Sequence, residues 1–336
     1  GEDYSIRTAV TRIAQELILE NTKRNTTIFS INADYNITDK LKLNTNINYT
    51  NRFTFNDPIN NYGNLGANFN QWWQRQIDIN RLREYKRDGN PISWNISSPT
   101  KSKPAYWNSP FFIVYENTNE QYKNAVYGQV GLTYDIMEGL SARIAYKKSY
   151  NNYHSNSKVG WGGLEVEDYS ESMSSDSRDE FFGIASYSKS FNDFDLNATA
   201  GFELTQYRYK GMSASAVGGL TTPGFYSLNT SVDRPSLSSR IRENDNKAWF
   251  TTASVGYKSL AYAEASYRMD YGSTADPNAN SVTTIGLSGS FILSQLIENK
   301  ELLSFAKVRV GYAQAPYFPG RYLLSQTYSS GTPYGS

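Results

Sequence analysis

The sequence predicts an all-β fold in which antiparallel strands form part of a transmembrane β-barrel. Three observations carry this prediction. Many short segments alternate apolar and polar residues, and the longest apolar run, Phe111–Tyr115, has only five residues, too few for a transmembrane helix. Aromatic residues make up 15% of the chain, including 27 Tyr, and Tyr and Trp gather at membrane–water interfaces. Any crossing of a membrane must therefore be made by strands that hydrogen-bond to one another.

The alternation is clearest in residues 28–37, where Phe29 and Ile31 alternate with Ser30 and Asn32. Strict alternation indicates a strand with two unlike faces. In a soluble sheet the apolar face would pack on a second layer of core, yet the opposite face here consists of Asn, Ser, Thr, Lys and Arg. A barrel with lipid outside and a hydrated lumen inside explains both faces.

Ten such segments form five predicted hairpins. They are residues 26–37 with 41–50, 125–136 with 140–150, 181–191 with 195–204, 248–258 with 260–270, and 282–293 with 303–314. Short turns join the partners of the first four hairpins. Longer connections, predicted to be loops, lie on the other side at about 51–124, 151–180, 205–247 and 271–281. Outer-membrane barrels have short periplasmic turns and long extracellular loops, so the long connections are expected to be extracellular.

The first and longest of these connections contains a predicted short helix at residues 81–88. A loop of this length is expected to carry structure of its own or a function. The two ends of the chain show no pattern that predicts a terminal strand, so the ten segments are the whole of the predicted sheet.

The composition excludes several classes of function. A net charge of +1 provides no attraction for nucleic acid, and the absence of cysteine excludes disulfides, cysteine–zinc sites and cysteine nucleophiles. The only histidine, His154, lies in a segment predicted to be a solvated loop. Glu165, Glu167 and Asp168 lack the spacing of a calcium-binding EF-hand, so calcium binding is the less favoured alternative to a solvated loop. The sequence predicts no catalytic residues, no metal, no cofactor and no enzymatic activity.

Several segments together resemble the SusC/RagA class of TonB-dependent outer-membrane transporters. They include Tyr106–Phe111, Val130–Ile136, Gly224–Asn229, Tyr267–Ser273 and Leu303–Gln314. Each segment is a weak signal alone, but their order and spacing over roughly residues 20–325 are specific.

The resemblance implies a large barrel of about 22 strands with a plug in its lumen. It also implies a SusD-like surface lipoprotein that acts as a lid, and a homodimer of transporter–lipoprotein pairs. The barrel would lie among the lipids and lipopolysaccharide of a bacterial outer membrane, as in Bacteroidota. Import of glycans or oligopeptides would be energised through TonB–ExbB–ExbD. No segment resembles the plug or the TonB box, so residues 1–336 are expected to be a partial barrel domain.

Two groups of residues are candidate sites. The first is an aromatic group in the longest connection, which could stack on sugar rings or peptide side chains. It comprises Trp72, Trp73, Trp94, Tyr106 and Trp107. The alternative, favoured for these residues, is packing within the loop or against the lid. The second group contains charged residues placed on the lumen face by alternation, where contact with the plug is favoured over contact with substrate. It comprises Arg143, Lys147, Glu203, Glu264, Arg268, Lys307 and Arg309.

A different class of function also fits the pattern. A structural or adhesive outer-membrane barrel would use its large outer loops only to bind protein partners. A barrel enzyme would need a Ser–His pair near the rim, and a single histidine disfavours it.

Overall fold

The computed structural model describes residues 3–57, 74–297, 304–324 and 326. Its main element is one antiparallel sheet of eleven strands, in which every strand pairs with the sheet strand before it in the chain. The strands are β1 (Tyr4–Glu16), β2 (Lys23–Asn36), β3 (Leu41–Phe55), β8 (Asn119–Met137), β9 (Leu140–Val159), β10 (Asp168–Phe191), β11 (Phe194–Leu220), β12 (Ser231–Tyr257), β13 (Ala261–Gly272), β14 (Ser281–Phe291) and β15 (Val308–Ala313). The predicted all-β antiparallel fold is confirmed, and the described sheet is open between β1 and β15.

The strand β1 was missing from the ten predicted segments, so the expectation of no strand signature at the start of the chain is wrong. It pairs with β2 over its full length, from Tyr4 opposite Tyr35 to Glu16 opposite Lys23. Tyr4, Ile6 and Val10 lie on one face of β1, but Thr8 and Arg12 stand at apolar positions of that face and Ala9 lies on the other face, so the alternation is broken.

The middle strands are much longer than predicted and occupy most of the segments predicted to be loops. The strands β10, β11 and β12 have 24, 27 and 27 residues, whereas a tilted membrane strand needs about 10. The connections at 151–180, 205–247 and 271–281 therefore shrink to residues 160–167, 221–230 and 273–280. These extensions carry polar residues on both faces, so alternation of hydrophobicity could not reveal them.

Short turns close one end of the sheet, which we call the turn end; the opposite end is the loop end. At the turn end, Gly139 has φ +78°. Lys258 and Ser259 have φ 50° and 54°, the pair of positive values that the two central residues of a type I′ turn require. The link between β14 and β15 contains a 3-10 helix at Leu293–Gln295. The strand β15 begins at Val308 rather than at 303.

The two faces of the sheet differ as the alternation predicts. Large apolar side chains on one face, the apolar face, are exposed, for example Ile6 at 66%, Trp249 at 56% and Leu287 at 54%. Among the described residues, the buried apolar side chains of the sheet strands are Ala145, Ala248 and, at the loop end of β11, Leu220. Within this part of the chain the sheet therefore has no second layer of protein against its apolar face. None of the helices in this part of the chain is long and apolar enough to cross a membrane.

Residues 74–118 fold into a compact unit at the loop end, which we call the cap. It contains α1 (Ile79–Leu82), β4 (Lys86–Arg87), β5 (Asn90–Pro91), β6 (Ile96–Ser98), β7 (Lys101–Pro104) and α2 (Pro110–Glu116). The predicted helix over 81–88 is wrong, because α1 ends at Leu82 and β4 and β5 form a hairpin. Asp88 and Gly89 have φ 51° and 78°, and an Asp-Gly pair with positive φ favours a hairpin turn over a helix.

The cap has its own hydrophobic core. Phe112 is completely buried, and Leu82, Phe111 and Val114 are each less than 9% exposed. The cap is joined to the sheet by hydrogen bonds from the side chains of Asn21 and Asn56 to the carbonyl oxygen of Val114, at 3.0 and 2.9 Å. Asn108 binds the connection between β9 and β10, donating to Glu165 Oε2 at 2.6 Å and accepting from the backbone N–H of Leu164 at 3.0 Å.

Candidate functional site

The register of the sheet places the predicted lumen residues together on the face opposite the apolar one, which we call the polar face. Arg143 pairs with Ile184, which in turn is opposite Gly201. Glu203 is opposite Ala248, and Ala248 is opposite Asp270, two residues from Arg268. Successive side chains alternate between faces, so residues paired in this way share one face. The strand pairings also place Lys147, Glu264 and Arg309 on the polar face. Lys307 precedes β15, and its Nζ lies 5.5 Å from the centre of the Tyr262 ring on that face.

Ion pairs cross the polar face from β9 to β13. Lys147 Nζ lies 2.5 Å from Glu180 Oε1, and Arg178 lies 3.3 Å from the same carboxylate. Arg268 lies 2.8 Å from Asp270 Oδ1 and 3.5 Å from Glu203 Oε2. These charges satisfy one another within the sheet, as charges inside a barrel must unless water or a partner meets them.

Two phenylalanine rings lie between these ion pairs. The rings of Phe182 and Phe250 stack with centres 6.2 Å apart. Lys147 Nζ lies 5.3 Å above the first ring, and the Arg268 guanidinium lies 5.8 Å above the second. Sequence reasoning missed Phe182 because residues 181–191 carry apolar residues on both faces. Phe182 pairs with Ala145, which lies between Arg143 and Lys147 on the same face of β9, so the register places Phe182 on the polar face.

A cavity of about 380 Å³ lies next to this cluster. Its walls include Arg178, Glu203 and Asp270, and the segment after β15 closes one side through Phe318 and Arg321. The Arg321 guanidinium lies 4.1 Å above the centre of the Tyr207 ring, and its Nε donates to Asn244 Oδ1 at 2.5 Å. Lining groups of both charges suit a polar ligand or a protein segment rather than an apolar one.

The middle of the polar face of β2 and β3 is lined by uncharged side chains instead, between the charged residues Lys42 and Arg24 toward its two ends. Asn46 donates to Asn32, Asn48 donates to Asn46 at 2.9 Å, and Ser30 donates to Asn48 at 2.7 Å. At the edge of this amide ladder, the side-chain oxygen of Asn44 accepts from Arg143 Nη2 at 3.2 Å. The Nε of Arg143 is buried and has no hydrogen-bond partner among the described residues. This guanidinium is therefore incompletely satisfied by the sheet itself.

The structure brings together three of the five candidate aromatic residues, whose role stays a prediction. Trp94 precedes β6 and Trp107 follows β7, and the two segments are joined by a 2.9 Å hydrogen bond from Ser93 Oγ to the carbonyl oxygen of Trp107. Both indole side chains are half-buried in the cap. Tyr106 is 79% exposed, so its ring is open to stacking. Trp72 and Trp73 lie outside the described residues.

Charged and aromatic side chains fix the position of the cap relative to the connection between β1 and β2. Arg83 makes two hydrogen bonds to the carboxylate of Glu20, at 2.9 and 2.6 Å, and the hydroxyl of Tyr115 donates to the same carboxylate at 3.2 Å. The bond from Arg83 lowers the pKa of Glu20 below its ordinary value. Burial first and the neighbouring Glu116 second raise the pKa of Tyr85, whose ring stacks on that of Tyr115.

The fold bears on two predictions about titratable residues, the position of His154 and the binding of a metal ion. His154 lies in β9 rather than in a loop, and its ring stacks on Tyr122 with centres 5.9 Å apart. The loop prediction is wrong because the polar segment around His154 is an extension of a strand. Within the described ranges, no group of three or more His, Cys, Asp or Glu side chains is arranged to hold a metal ion.

No family model and no curated protein sequence matches the chain. Solved structures do match it. The RagAB peptide transporter is 16% identical and has a TM-score of 0.66, over 93% of this chain and 35% of the other. The open-open state of the RagAB peptide importer has a TM-score of 0.67 over the same shares. The ferric-catecholate import receptor Fiu of E. coli K12, in its closed form, is 12% identical and has a TM-score of 0.56, over 99% of this chain and 49% of that one.

These likenesses show the fold. The chain has the barrel fold of TonB-dependent transporters, and the resemblance to the SusC/RagA class is confirmed at that level. The chain spans about a third of the length of the RagAB chain that it matches. It therefore corresponds to part of such a barrel.

Proposed function

We propose that this chain forms part of the barrel wall of a bacterial outer-membrane transporter that imports glycans or oligopeptides. A SusD-like surface lipoprotein would deliver the substrate, and TonB would supply the energy. The observation that carries the proposal is a sheet with an exposed apolar face and a hydrated, charged opposite face. This combination suits a wall between lipid and a water-filled lumen.

The polar face would contact the plug that the resemblance implies. Arg268 and Lys147 have carboxylate partners within the sheet. Arg143 retains a buried Nε with no partner among the described residues. Glu264 and Arg309 form no ion pair within the described part of the chain. These three residues are therefore the first candidates for contact with a plug or with a passing substrate.

The cap would support the lid. It lies at the loop end, which is extracellular in outer-membrane barrels, and its buried Phe112 core makes it a firm platform. Tyr106 presents an exposed ring there. The proposal assigns no bond-breaking chemistry to this chain, because import requires only binding and passage.

The test is growth of a strain that lacks the gene for the full-length protein. Complementation with the wild-type gene is expected to restore growth on one class of oligosaccharide or oligopeptide, and only when TonB is functional. A gene that restores surface attachment but no uptake of any tested glycan or peptide would favour the adhesive barrel instead. Pull-down from a detergent extract is expected to recover a lipoprotein at equal stoichiometry.

A further inference from the structure

Two complete rows of serine cross four strands on the polar face near the loop end. The outer row is Ser157, Ser170, Ser215 and Ser236, and the inner row is Ser155, Ser172, Ser213 and Ser238. Each serine lies directly opposite the next one in its row. Cross-strand neighbours in such a sheet are about 5 Å apart, and the two rows are about 7 Å apart. We call this surface the serine rows.

The serine rows carry no charge. Asn119 and Gln121 continue them onto β8, where they pair with the first serine of each row. All eight hydroxyl-bearing residues are exposed or half-buried. Ser157 and Ser170 form a 2.8 Å hydrogen bond in which either oxygen could donate. The rows are therefore uncharged and dense in groups that both donate and accept hydrogen bonds. Charged residues border them on the same face, Arg240 beyond the inner row and Asp168 beyond the outer row.

An aromatic ring borders the inner row. The hydroxyl of Tyr209 lies so close to Gly211 that a Cβ atom at that glycine would be 2.5 Å from it. The tyrosine side chain therefore lies along its own strand toward Ser213, instead of standing away from the sheet. The Arg242 guanidinium lies 6.0 Å from the centre of this ring.

A cleft of about 580 Å³ lies beyond the outer row, between the loop end of the same strands and the cap. Its walls include Trp161, which is 51% exposed, and the charged residues Lys103, Glu165 and Glu167. Glu167 is only 4% exposed; its Oε1 accepts from the backbone N–H of Gly224 at 2.8 Å. The other oxygen, Oε2, is buried without a hydrogen-bond partner among the described residues. A ligand in this cleft would meet an exposed indole side chain and one carboxylate oxygen that has no donor among the described residues.

We propose that the serine rows and the adjoining cleft bind a neutral, polyhydroxylated chain, that is, a glycan. Sugar hydroxyls both donate and accept, which matches serine, and the ring faces of sugars stack on aromatic side chains. Charged side chains of a peptide would find no opposite charge on the rows. This proposal specifies the substrate class of the proposed transporter. Only the direction of transport rests on the proposed function.

The test uses the full-length protein that contains this chain, purified in detergent. Calorimetric titration with maltoheptaose, cellohexaose, xylohexaose and mannohexaose is expected to detect binding of at least one of them. A neutral hexapeptide of mixed sequence serves as the competing ligand. The double variant Ser172→Val with Ser213→Val is expected to weaken glycan binding about ten-fold, because two hydrogen bonds are lost. Trp161→Ala is expected to weaken it as well.

Two control variants separate the loss of hydroxyl groups from other effects. Ser172→Thr with Ser213→Thr has the same shape as the valine pair but keeps both hydroxyls, and it is expected to retain most of the affinity. Ser175→Val with Ser239→Val changes the opposite face of β10 and β12, and it is expected to bind like the wild type.

Several results would overturn the proposal. The first is that the wild-type protein binds none of the four oligosaccharides, and the second is that it binds the hexapeptide instead. The third is that the valine double variant binds glycan as tightly as the threonine double variant. Transport is measured separately by uptake in cells with and without TonB. Uptake of peptides alone would support the import proposal and contradict glycan binding at the serine rows. Glycan binding without uptake would support binding at the serine rows and contradict the import proposal.

Discussion

The sheet and the cap use apolar residues in opposite ways. In the cap, Phe112 is fully buried beside Phe111, Val114 and Leu82, as in a small water-soluble domain. In the sheet, Trp249 and Leu287 are more than half exposed on a continuous apolar face. One chain therefore contains a region stabilised by its own core and a region whose apolar face no described residue covers.

The difference shows why hydrophobic content is a poor guide to this protein. The same residue types stabilise the cap by excluding water and adapt the sheet to a bilayer. The backbone ladder satisfies the N–H and C=O groups of the sheet, so its side chains need not form a core. Substitutions should therefore act by different rules in the two regions, and the four expectations below go from the largest effect to the smallest.

Removing the central side chain of the cap should have the largest effect. Phe112→Ala is expected to destabilise the cap by about 3–5 kcal/mol, because it removes a buried ring and leaves a cavity. Hydrogen exchange in residues 79–116 should accelerate while exchange in β11 and β12 stays slow. Tyr106→Ala, at a ring that is 79% exposed, is the control and should change neither. Acceleration throughout the sheet would show that the two regions do not unfold independently.

A charge on the apolar face of the sheet should cost somewhat less. Leu287→Arg is expected to destabilise the barrel by about 2–4 kcal/mol, the cost of arginine near the middle of a bilayer. Ser288→Arg, one residue further, points to the polar face opposite Glu264 through the pairing of β13 with β14 and should be tolerated. Folding of the full-length protein into lipid vesicles, followed by denaturant titration, measures both. Equal destabilisation would contradict the assignment of the two faces.

Removing the central cation of the polar face should have a smaller effect. Arg268→Met leaves the carboxylates of Asp270 and Glu203 without their guanidinium partner. The side chain is 39% exposed, so solvent screens the loss and about 1 kcal/mol is expected. Arg208→Met is the matched control, because its partner Glu243 is 3.7 Å away and both side chains are mostly exposed. If Arg268→Met and Arg208→Met change the denaturation midpoint equally, the ion pairs of Arg268 stabilise the sheet no more than an exposed pair does.

The contact between Glu20 and Arg83 should make the smallest contribution, and one that depends on pH. The folded protein holds the pKa of Glu20 below its ordinary value of 4.5. This contact therefore stabilises the folded cap above that value, and the contribution is lost as pH falls through the lower folded pKa. Protection of the α1 amides against hydrogen exchange, measured relative to the intrinsic exchange rate at each pH, should fall on acidification in the wild type. Glu20→Gln should exchange faster already at neutral pH and respond less to acid; an unchanged acid response would contradict the assignment.

Alternation predicted the sheet wherever the two faces meet different surroundings. Leu132 opposite Ile144 and Leu196 opposite Val255 are pairs that the pattern places correctly on the apolar face. It failed for the extensions of β9 to β12, where Glu171 and Ser172, adjacent residues on opposite faces of β10, lie in a stretch with polar residues on both sides. It failed for Phe182 because both sides of that stretch are apolar.

The candidate site was predictable only in part, for a similar reason. Alternation assigns a residue to a face within its own strand, so Arg143 and Arg268 could be placed on the polar face. Their partners depend on register between strands, and alternation does not provide it. The contact of Arg268 with Glu203 spans two strand pairings. The serine rows likewise exist only because four strands align at the same height.

The sequence by itself determined the class of fold and which side chains lie on the apolar face, because period-two alternation is a local property of each strand. Only the tertiary structure decided how far the strands extend, that residues 86–91 form a hairpin, and that the cap has a core. These outcomes depend on pairing and packing between distant segments, such as Asn56 with Val114 and Ser172 with Ser213. Local residue patterns carry no information on those partners.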